Sequence, residues 1–130
     1  MIIAILIGRD GSVGIPKKNV YPILNRPLMS YPLLAAQNSK FVDEVYVSTD
    51  SSEIIEVGKS LGAKIINRPK ELATSEAIVE DVYVHAYEHI KSEEKEEIEF
   101  IVLLMCNAIS ILPETIDKGI EILREKDDFD

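Results

Sequence analysis

The chain has 130 residues, 46% of them hydrophobic and 28% charged, which is the composition of one globular domain with a real core. Its formal net charge of −9 argues against a partner recognised through a basic footprint, as nucleic acid is. The apolar runs are far shorter than the roughly 20 residues that span a bilayer. A single cysteine, Cys106, excludes an intrachain disulfide and is typical of a reducing compartment. We therefore expect a cytoplasmic protein without a membrane or nucleic-acid partner.

The first predicted element is a strand over residues 2–7, whose continuous apolar run is typical of a parallel strand buried on both faces. A glycine-rich loop over residues 8–19 follows it. The glycines let backbone N–H groups converge on phosphate oxygens, and Arg9, Lys17 and Lys18 add positive charge. The spacing matches neither the dinucleotide fingerprint nor the P-loop. The loop predicts an anion site at the carboxyl end of a central strand, and an ordinary connecting loop with surface lysines is the alternative.

Helices and strands then alternate along the chain. A helix is predicted from Pro27 to about Ser39, with its apolar face formed by four residues: Leu28, Tyr31, Leu34 and Ala35. A strand over residues 45–47 leads to a second helix that ends at Gly62. Asp50 is interpreted as the N-cap of that helix, and a contact near a bound ligand is the alternative.

The second half of the chain repeats this pattern. It predicts a strand over residues 63–66, a helix from about Glu76 to Lys91, a buried strand over 100–105 and a helix after Pro113. Such alternation implies right-handed crossovers and a three-layer α/β/α domain with a mostly parallel, Rossmann-like sheet. The chain stops where the next strand would begin. We expect residues 1–130 to form a single α/β domain.

Two further motifs invite a functional interpretation. His85, Glu88 and His89 fit the H-x-x-E-H pattern of zinc peptidases, but no third ligand is evident, and two rim histidines are the alternative. Cys106 would need a base to act as a nucleophile, and a small packed residue at the end of a strand is the favoured interpretation.

Residues 9–19 resemble the A-R-x-G-S-K-G-x-P-x-K-N loop of the cytidylyltransferases that activate acidic sugars, the CMP-N-acetylneuraminate (CMP-sialic acid) synthetase family. Three more segments match that family in order: residues 47–50, 68–74 and 103–104. The chain departs from the family pattern twice. Val13 replaces the usual lysine, and residues 105–111 read M-C-N-A-I-S-I where many members have Q-P-T-S-P-L-R.

The resemblance implies the nucleotide-diphospho-sugar transferase type of the predicted fold and transfer of CMP from CTP to a sialic-acid-like sugar, with release of pyrophosphate. Catalytic roles are implied for Arg9 and Lys18. The implied contacts to the triphosphate come from Arg9, Gly11, Ser12, Lys18 and Asn19, and those to the cytidine from Arg68, Ala73, Thr74 and Ser75. Asn107 is the candidate on the acceptor-sugar side.

Because family members are considerably longer, the resemblance also implies that residues 1–130 are a single nucleotide-binding domain, the N-terminal portion of a longer cytidylyltransferase domain. The family further implies Mg²⁺ or another divalent cation, with metal ligands outside this segment, and a homodimer. Two alternatives stay open. The chain could be a nucleotide-binding half-domain without catalysis, or it could use another nucleotide or sugar.

Overall fold

A parallel sheet of four strands carries the fold in the computed structural model, which describes residues 1–10 and 17–126. The elements in chain order are β1 (Ile2–Ile7), β2 (Pro22–Ile23), β3 (Arg26–Pro27), α1 (Ser30–Gln37), β4 (Glu44–Thr49), α2 (Ser52–Ser60), β5 (Lys64–Asn67), α3 (Val79–Glu93), β6 (Phe100–Met105) and α4 (Pro113–Glu125). Single 3-10 turns lie at Lys18–Val20 and Lys70–Leu72. The strand order is β5-β4-β1-β6, and all three pairings are parallel.

Strand β1 lies inside the sheet and is buried along its whole length, as its unbroken apolar sequence predicts. Its side chains alternate between two cores. Ile2, Ala4 and Leu6 face the core under α1, α2 and α4. Ile3 and Ile5 face the core under α3. Helices therefore cover both faces of the sheet, and the predicted three-layer α/β/α architecture is confirmed.

The first helix differs from its prediction in start and in orientation. It begins at Ser30 rather than Pro27, and the side chains it buries most deeply form a different face: Met29, Pro32, Leu33 and Ala36. Of the predicted face, only Ala35 is buried, while the other three residues are half-exposed. Apolar residues occur all around this helix, so periodicity could not decide which side meets the sheet.

A hairpin occupies the position predicted for the start of that helix. Leu24 and Asn25 have φ angles of 50° and 67°, and they join β2 to the antiparallel β3. Two consecutive positive φ angles are typical of a type I′ turn, which is commonly marked by Asn-Gly. Leu-Asn does not carry that signal, so the hairpin was missed. Pro27 consequently ends β3 instead of opening α1.

Strand β6 is predicted correctly in extent but not in burial. It pairs only with β1 among the described residues, so it forms an edge of the sheet. Leu103 and Met105 are 52% and 49% exposed. On the last helix, Ile116 and Ile120 are buried as expected, whereas Leu123 is 39% exposed.

Helix α4 is fixed to the end of α1 by a buried carboxylate. Asp117 accepts hydrogen bonds from the Ser39 hydroxyl at 2.5 Å and the Lys40 backbone N–H at 3.0 Å. Both partners lie in the turn after α1, so the contact sets the spacing of the two helices. No helix in the described ranges has the length and apolar character needed to cross a bilayer.

Candidate functional site

The main cavity lies at the carboxyl ends of β1 and β6, where the strand order reverses. The chain leaves β1 towards β4 on one side of it, whereas β6 pairs with β1 on the other side. The loops that follow β1 and β6 therefore diverge, and a crevice lies between them at the ends of these strands. The cavity has a volume of about 380 Å³. It is lined by the ends of both strands, the turn after β5 and the first turn of α3.

The polar lining combines three cations with small hydrogen-bonding groups. Arg9 follows β1, Lys18 lies in the 3-10 turn after the glycine-rich loop, and Arg68 follows β5. No carboxylate lines the cavity among the described residues. A crevice with this charge and low-dielectric walls attracts anions and focuses their field.

Arg68 is held in the cavity wall and is only 7% exposed. One guanidinium N–H donates to the Ser48 carbonyl at 3.0 Å, and its backbone N–H donates to the Thr49 carbonyl at 2.9 Å. Its Nε is buried without a hydrogen-bond partner among the described residues. Burial lowers the pKa of Arg68, and the Asp50 carboxylate opposes that shift.

Gly8, Asn19 and Cys106 pack tightly at the floor of the cavity. A Cβ at Gly8 would lie 2.7 Å from the Cys106 sulfur and 3.1 Å from the Asn19 amide nitrogen. Glycine therefore permits the close approach of these two side chains. Cys106 is 1% exposed, and desolvation raises its pKa to about 12. The thiol is thus a packed, protonated group rather than a nucleophile.

The structure brings most of the sequence-predicted residues together. The following line the cavity: Arg9, Lys18, Asn19, Arg68, Thr74, Ser75 and Asn107. Ala73 is not in the lining. It ends the 3-10 turn at Lys70–Leu72, and its N–H donates to the Lys70 carbonyl. Gly11, Ser12 and the departure at Val13 lie outside the described residues.

Sequence reasoning missed the apolar part of the wall, formed by Leu72, Ala77, Val79, Val82 and Met105. Val79 is 44% exposed although it lies on a helix with a buried face, because it opens into the cavity. Val79 lies at helical spacing from the buried Val82, so the sequence pattern predicted a core residue. Periodicity does not distinguish a side chain in the core from one that lines a cavity.

The acids near the loop have partners of their own. Asp50 is not the N-cap of α2. That role belongs to Ser51, whose hydroxyl accepts from the Ile54 N–H at 3.3 Å. Asp50 instead accepts from the Asp10 N–H at 2.9 Å. Lys17 pairs with Glu53, outside the cavity, which lowers the pKa of Glu53 to about 2.

The two histidines do not form a metal site. His89 contacts Glu93 on its own helix at 3.0 Å, and His85 is half-buried. The described residues contain no group of three or more histidine, cysteine or acidic side chains that could hold a metal ion. The zinc-peptidase pattern therefore has no support in the part of the chain described.

The fold and the cavity define a doubly wound α/β domain with a cationic ligand site at its topological switch point. The family model described as Cytidylyltransferase matches residues 3–129. The chain therefore belongs to the cytidylyltransferase family.

Two curated relatives and one solved structure illustrate the similarity. A pseudaminic acid cytidylyltransferase of Campylobacter jejuni is 40% identical over 92 residues, covering 70% of this chain and 40% of that protein. An N-acylneuraminate cytidylyltransferase of Escherichia coli is 39% identical over 85 residues, covering 65% of this chain and 20% of that protein.

The solved structure is that of CMP:2-keto-3-deoxy-manno-octonic acid synthetase complexed with CTP. It matches with a TM-score of 0.80 at 21% identity, over 98% of this chain and 49% of that one. This similarity confirms the fold. The chain spans less than half the length of these three proteins.

Proposed function

We propose that this chain is the nucleotide-binding part of an enzyme that transfers CMP from CTP to an acidic sugar and releases pyrophosphate. The observation that carries the proposal is the cavity wall, which contains Arg9, Lys18 and Arg68 and is lined by no acid among the described residues. Such a wall suits a triphosphate. Membership of the cytidylyltransferase family and the sugar acids in the relatives' names support the choice of CTP and of an acidic acceptor.

The proposed reaction is displacement at the α-phosphorus of CTP. A hydroxyl oxygen of the sugar acid attacks phosphorus, the bond from phosphorus to the bridging oxygen breaks, and pyrophosphate departs with the electron pair. The sugar hydroxyl loses its proton to solvent or to a base. Arg9 and Lys18 act as catalytic residues by neutralising charge on the departing pyrophosphate, with Asn19, Gly11 and Ser12 as further contacts to the phosphates.

Cytidine is assigned to the part of the cavity formed by the chain after β5. Arg68, with Thr74, Ser75 and the neighbouring Ala73, would border the base and the ribose. Arg68 lines the cavity, and its hydrogen bond to the Ser48 carbonyl holds the guanidinium in place. Asn107, after β6, is assigned to the acceptor sugar.

A divalent cation remains part of the proposal, but the described residues do not form a cage for one. Mg²⁺ is commonly held by substrate phosphates and one or two carboxylates, and would help to neutralise the triphosphate. We propose that its protein ligands lie outside the residues described. The cytoplasmic location, the absence of a nucleic-acid partner and the homodimer are likewise retained as proposals.

The first experiment is a calorimetric titration of the chain with CTP, ATP, GTP and UTP in the presence of Mg²⁺. Selective CTP binding is expected. The Lys18→Ala variant should bind CTP at least about tenfold more weakly, because a charge-assisted contact to phosphate is lost. Arg26→Ala is the matched control, since Arg26 is exposed in β3 outside the cavity. Equal affinity of Lys18→Ala and the unaltered chain would remove Lys18 from the site.

Catalysis is tested by pyrophosphate release from CTP with N-acetylneuraminate or pseudaminate as acceptor. In an active protein, Lys18→Ala should lose roughly 2–4 kcal/mol of transition-state stabilisation. One alternative is a nucleotide-binding domain without catalysis of its own. CTP binding without pyrophosphate release would support that alternative. Preference for another nucleotide would contradict the assignment to CTP.

A further inference from the structure

One short segment, from Asp50 to Glu53, contacts two residues near the ends of the glycine-rich loop, Asp10 and Lys17. On one side, the Asp50 carboxylate accepts the backbone N–H of Asp10 at 2.9 Å. On the other side, the Glu53 carboxylate accepts from the Lys17 ammonium at 2.5 Å. These contacts join residues that are 40 and 36 positions apart in the sequence. The segment that links β4 to α2 therefore contacts the loop near both of its ends.

The segment is itself held in place by local hydrogen bonds. The Ser51 N–H donates to the Thr49 hydroxyl at 3.0 Å, and the Ser51 hydroxyl caps α2 through the Ile54 N–H. Glu53 also accepts from the Ser51 hydroxyl at 3.1 Å. Thr49 and Ser51 are buried. These hydrogen bonds hold the backbone that carries the Asp50 and Glu53 carboxylates.

The residues held in this way adjoin the cationic wall of the cavity. Arg9 directly precedes Asp10, and Lys18 and Asn19 directly follow Lys17. Lys17 has φ 52° and ψ 41°, a left-handed conformation that costs a non-glycine residue energy and persists only where the surroundings enforce it. The Val20 N–H closes this turn on the Lys17 carbonyl at 3.1 Å, and the exposed ion pair with Glu53 joins the Lys17 side chain to α2.

We propose that Asp50 and Glu53 are positioning residues that hold Arg9 and Lys18 in register for a triphosphate. This inference rests on the proposed function. Neither carboxylate lines the cavity, so the proposed role is exerted through the residues that they contact. The arrangement reduces the ordering of the loop ends that binding would otherwise require, and preorganisation of this kind increases affinity.

The Asp50 carboxylate also favours the charged form of Arg68. Asp50 could therefore act through its charge on Arg68 instead of through its hydrogen bond to Asp10. The two roles are separated by a pair of substitutions. Asp50→Asn keeps an oxygen that can accept from the Asp10 N–H but removes the charge. Asp50→Ala removes both. A positioning role therefore predicts rescue by asparagine, and an electrostatic role does not.

The experiment compares these variants by amide hydrogen exchange at Asp10 without ligand and by calorimetric titration with CTP. Asp50→Ala should exchange at Asp10 at least about tenfold faster than the unaltered chain and bind CTP about tenfold more weakly. Asp50→Asn should stay within about threefold of the unaltered chain in both measurements. Glu53→Gln, which removes the ion pair on the other side, should also weaken CTP binding. Glu56→Gln, an exposed change on the same helix, is the matched control.

Unchanged exchange at Asp10 in Asp50→Ala would overturn the proposal, and so would CTP binding that both alanine and asparagine weaken equally. The exchange measurement does not depend on the ligand. If the unaltered chain binds no nucleotide while Asp10 still exchanges faster in Asp50→Ala, the CTP assignment fails and the structural contact stands.

Discussion

Single residues at the floor of the cavity show how closely backbone and side chains are fitted there. Gly8 leaves room for the Cys106 sulfur and the Asn19 amide, and both of these side chains line the cavity. The Cys106 thiol is buried and uncharged, so it contributes to this part of the cavity by packing against Gly8. A well-packed interior tolerates an added methyl group poorly, because neighbouring atoms must move to admit it.

Gly8→Ala should therefore destabilise the chain by about 1–3 kcal/mol, because the new Cβ meets the sulfur at 2.7 Å. Urea denaturation measures this free energy of unfolding. Adding Cys106→Ala removes the sulfur, so the double variant should lose less stability than the sum of the two single changes.

Gly119→Ala is the control for this prediction, since no atom lies within 4 Å of a Cβ at that helical position. It should stabilise the chain by about 0.5–1 kcal/mol through helix propensity. A harmless Gly8→Ala change would contradict the packing argument.

At the scale of the elements, α3 is attached to the sheet by a polar network at the end opposite the cavity. The buried Tyr46 of β4 donates its hydroxyl hydrogen to Glu94 at 2.6 Å, just beyond the last turn of α3. Lys64 of β5 donates to the same carboxylate at 2.8 Å. These hydrogen bonds lower the pKa of Glu94, with Lys64 contributing most. The network joins two strands and one helix at a single carboxylate.

The network should make stability depend on pH in the acid range. A pKa below the ordinary value of 4.5 means that the folded state favours the charged carboxylate. Its stabilisation is therefore present above about pH 4.5 and is lost as pH falls through the lower, folded-state value. Glu94→Gln removes the charge but keeps an acceptor for Tyr46, so it should be less stable than the unaltered chain at neutral pH.

Urea denaturation from pH 7 to pH 3 tests this prediction. The difference in unfolding free energy between the two proteins should shrink towards zero in acid. Glu96→Gln, an exposed change in the loop after α3, is the control and should show little difference at any pH. A difference that stays constant across the range would contradict a charge-based role for Glu94.

For the whole molecule, the charge is distributed unevenly. Residues 1–40 carry five basic residues and one acidic residue, a local charge of +4, and the remainder carries −13. The basic part includes Arg9 and Lys18, which lie in the cavity wall. The domain thus combines an acidic surface with a local cationic site, an arrangement that attracts a small anion and repels a polyanion.

Affinity for CTP should accordingly fall as salt is added. Raising the ionic strength from about 50 to 200 mM should weaken binding severalfold, since screening acts on the phosphate charges. Cytidine is the control ligand, because it lacks phosphates and should bind with little dependence on salt. Equal salt dependence for CTP and cytidine in the same titration series would show that the cations do not contact the triphosphate.

The order of the elements and the position of the loop could be predicted from local signals. The apolar run of β1, the turn at Gly62 and Pro113 at the start of α4 each depend on neighbouring residues alone. The sequence also predicted that residues after the strands, such as Arg9, Arg68 and Asn107, lie near one another. The reason is that parallel strands have their carboxyl ends at the same edge of the sheet. The family resemblance supplied the chemical roles.

The sequence by itself thus determined the layered α/β class, the cationic loop and the family. Tertiary structure decided which face of α1 is buried, the edge position of β6 and the contacts of Asp50 and Glu53 with the loop ends. The physical reason is the range of the interactions. Periodicity and capping act over a few residues, whereas the contacts of Asp50 and Glu53 join residues 40 and 36 positions apart. The buried face of α1 and the edge position of β6 depend on how whole helices and strands pack, which no local pattern encodes.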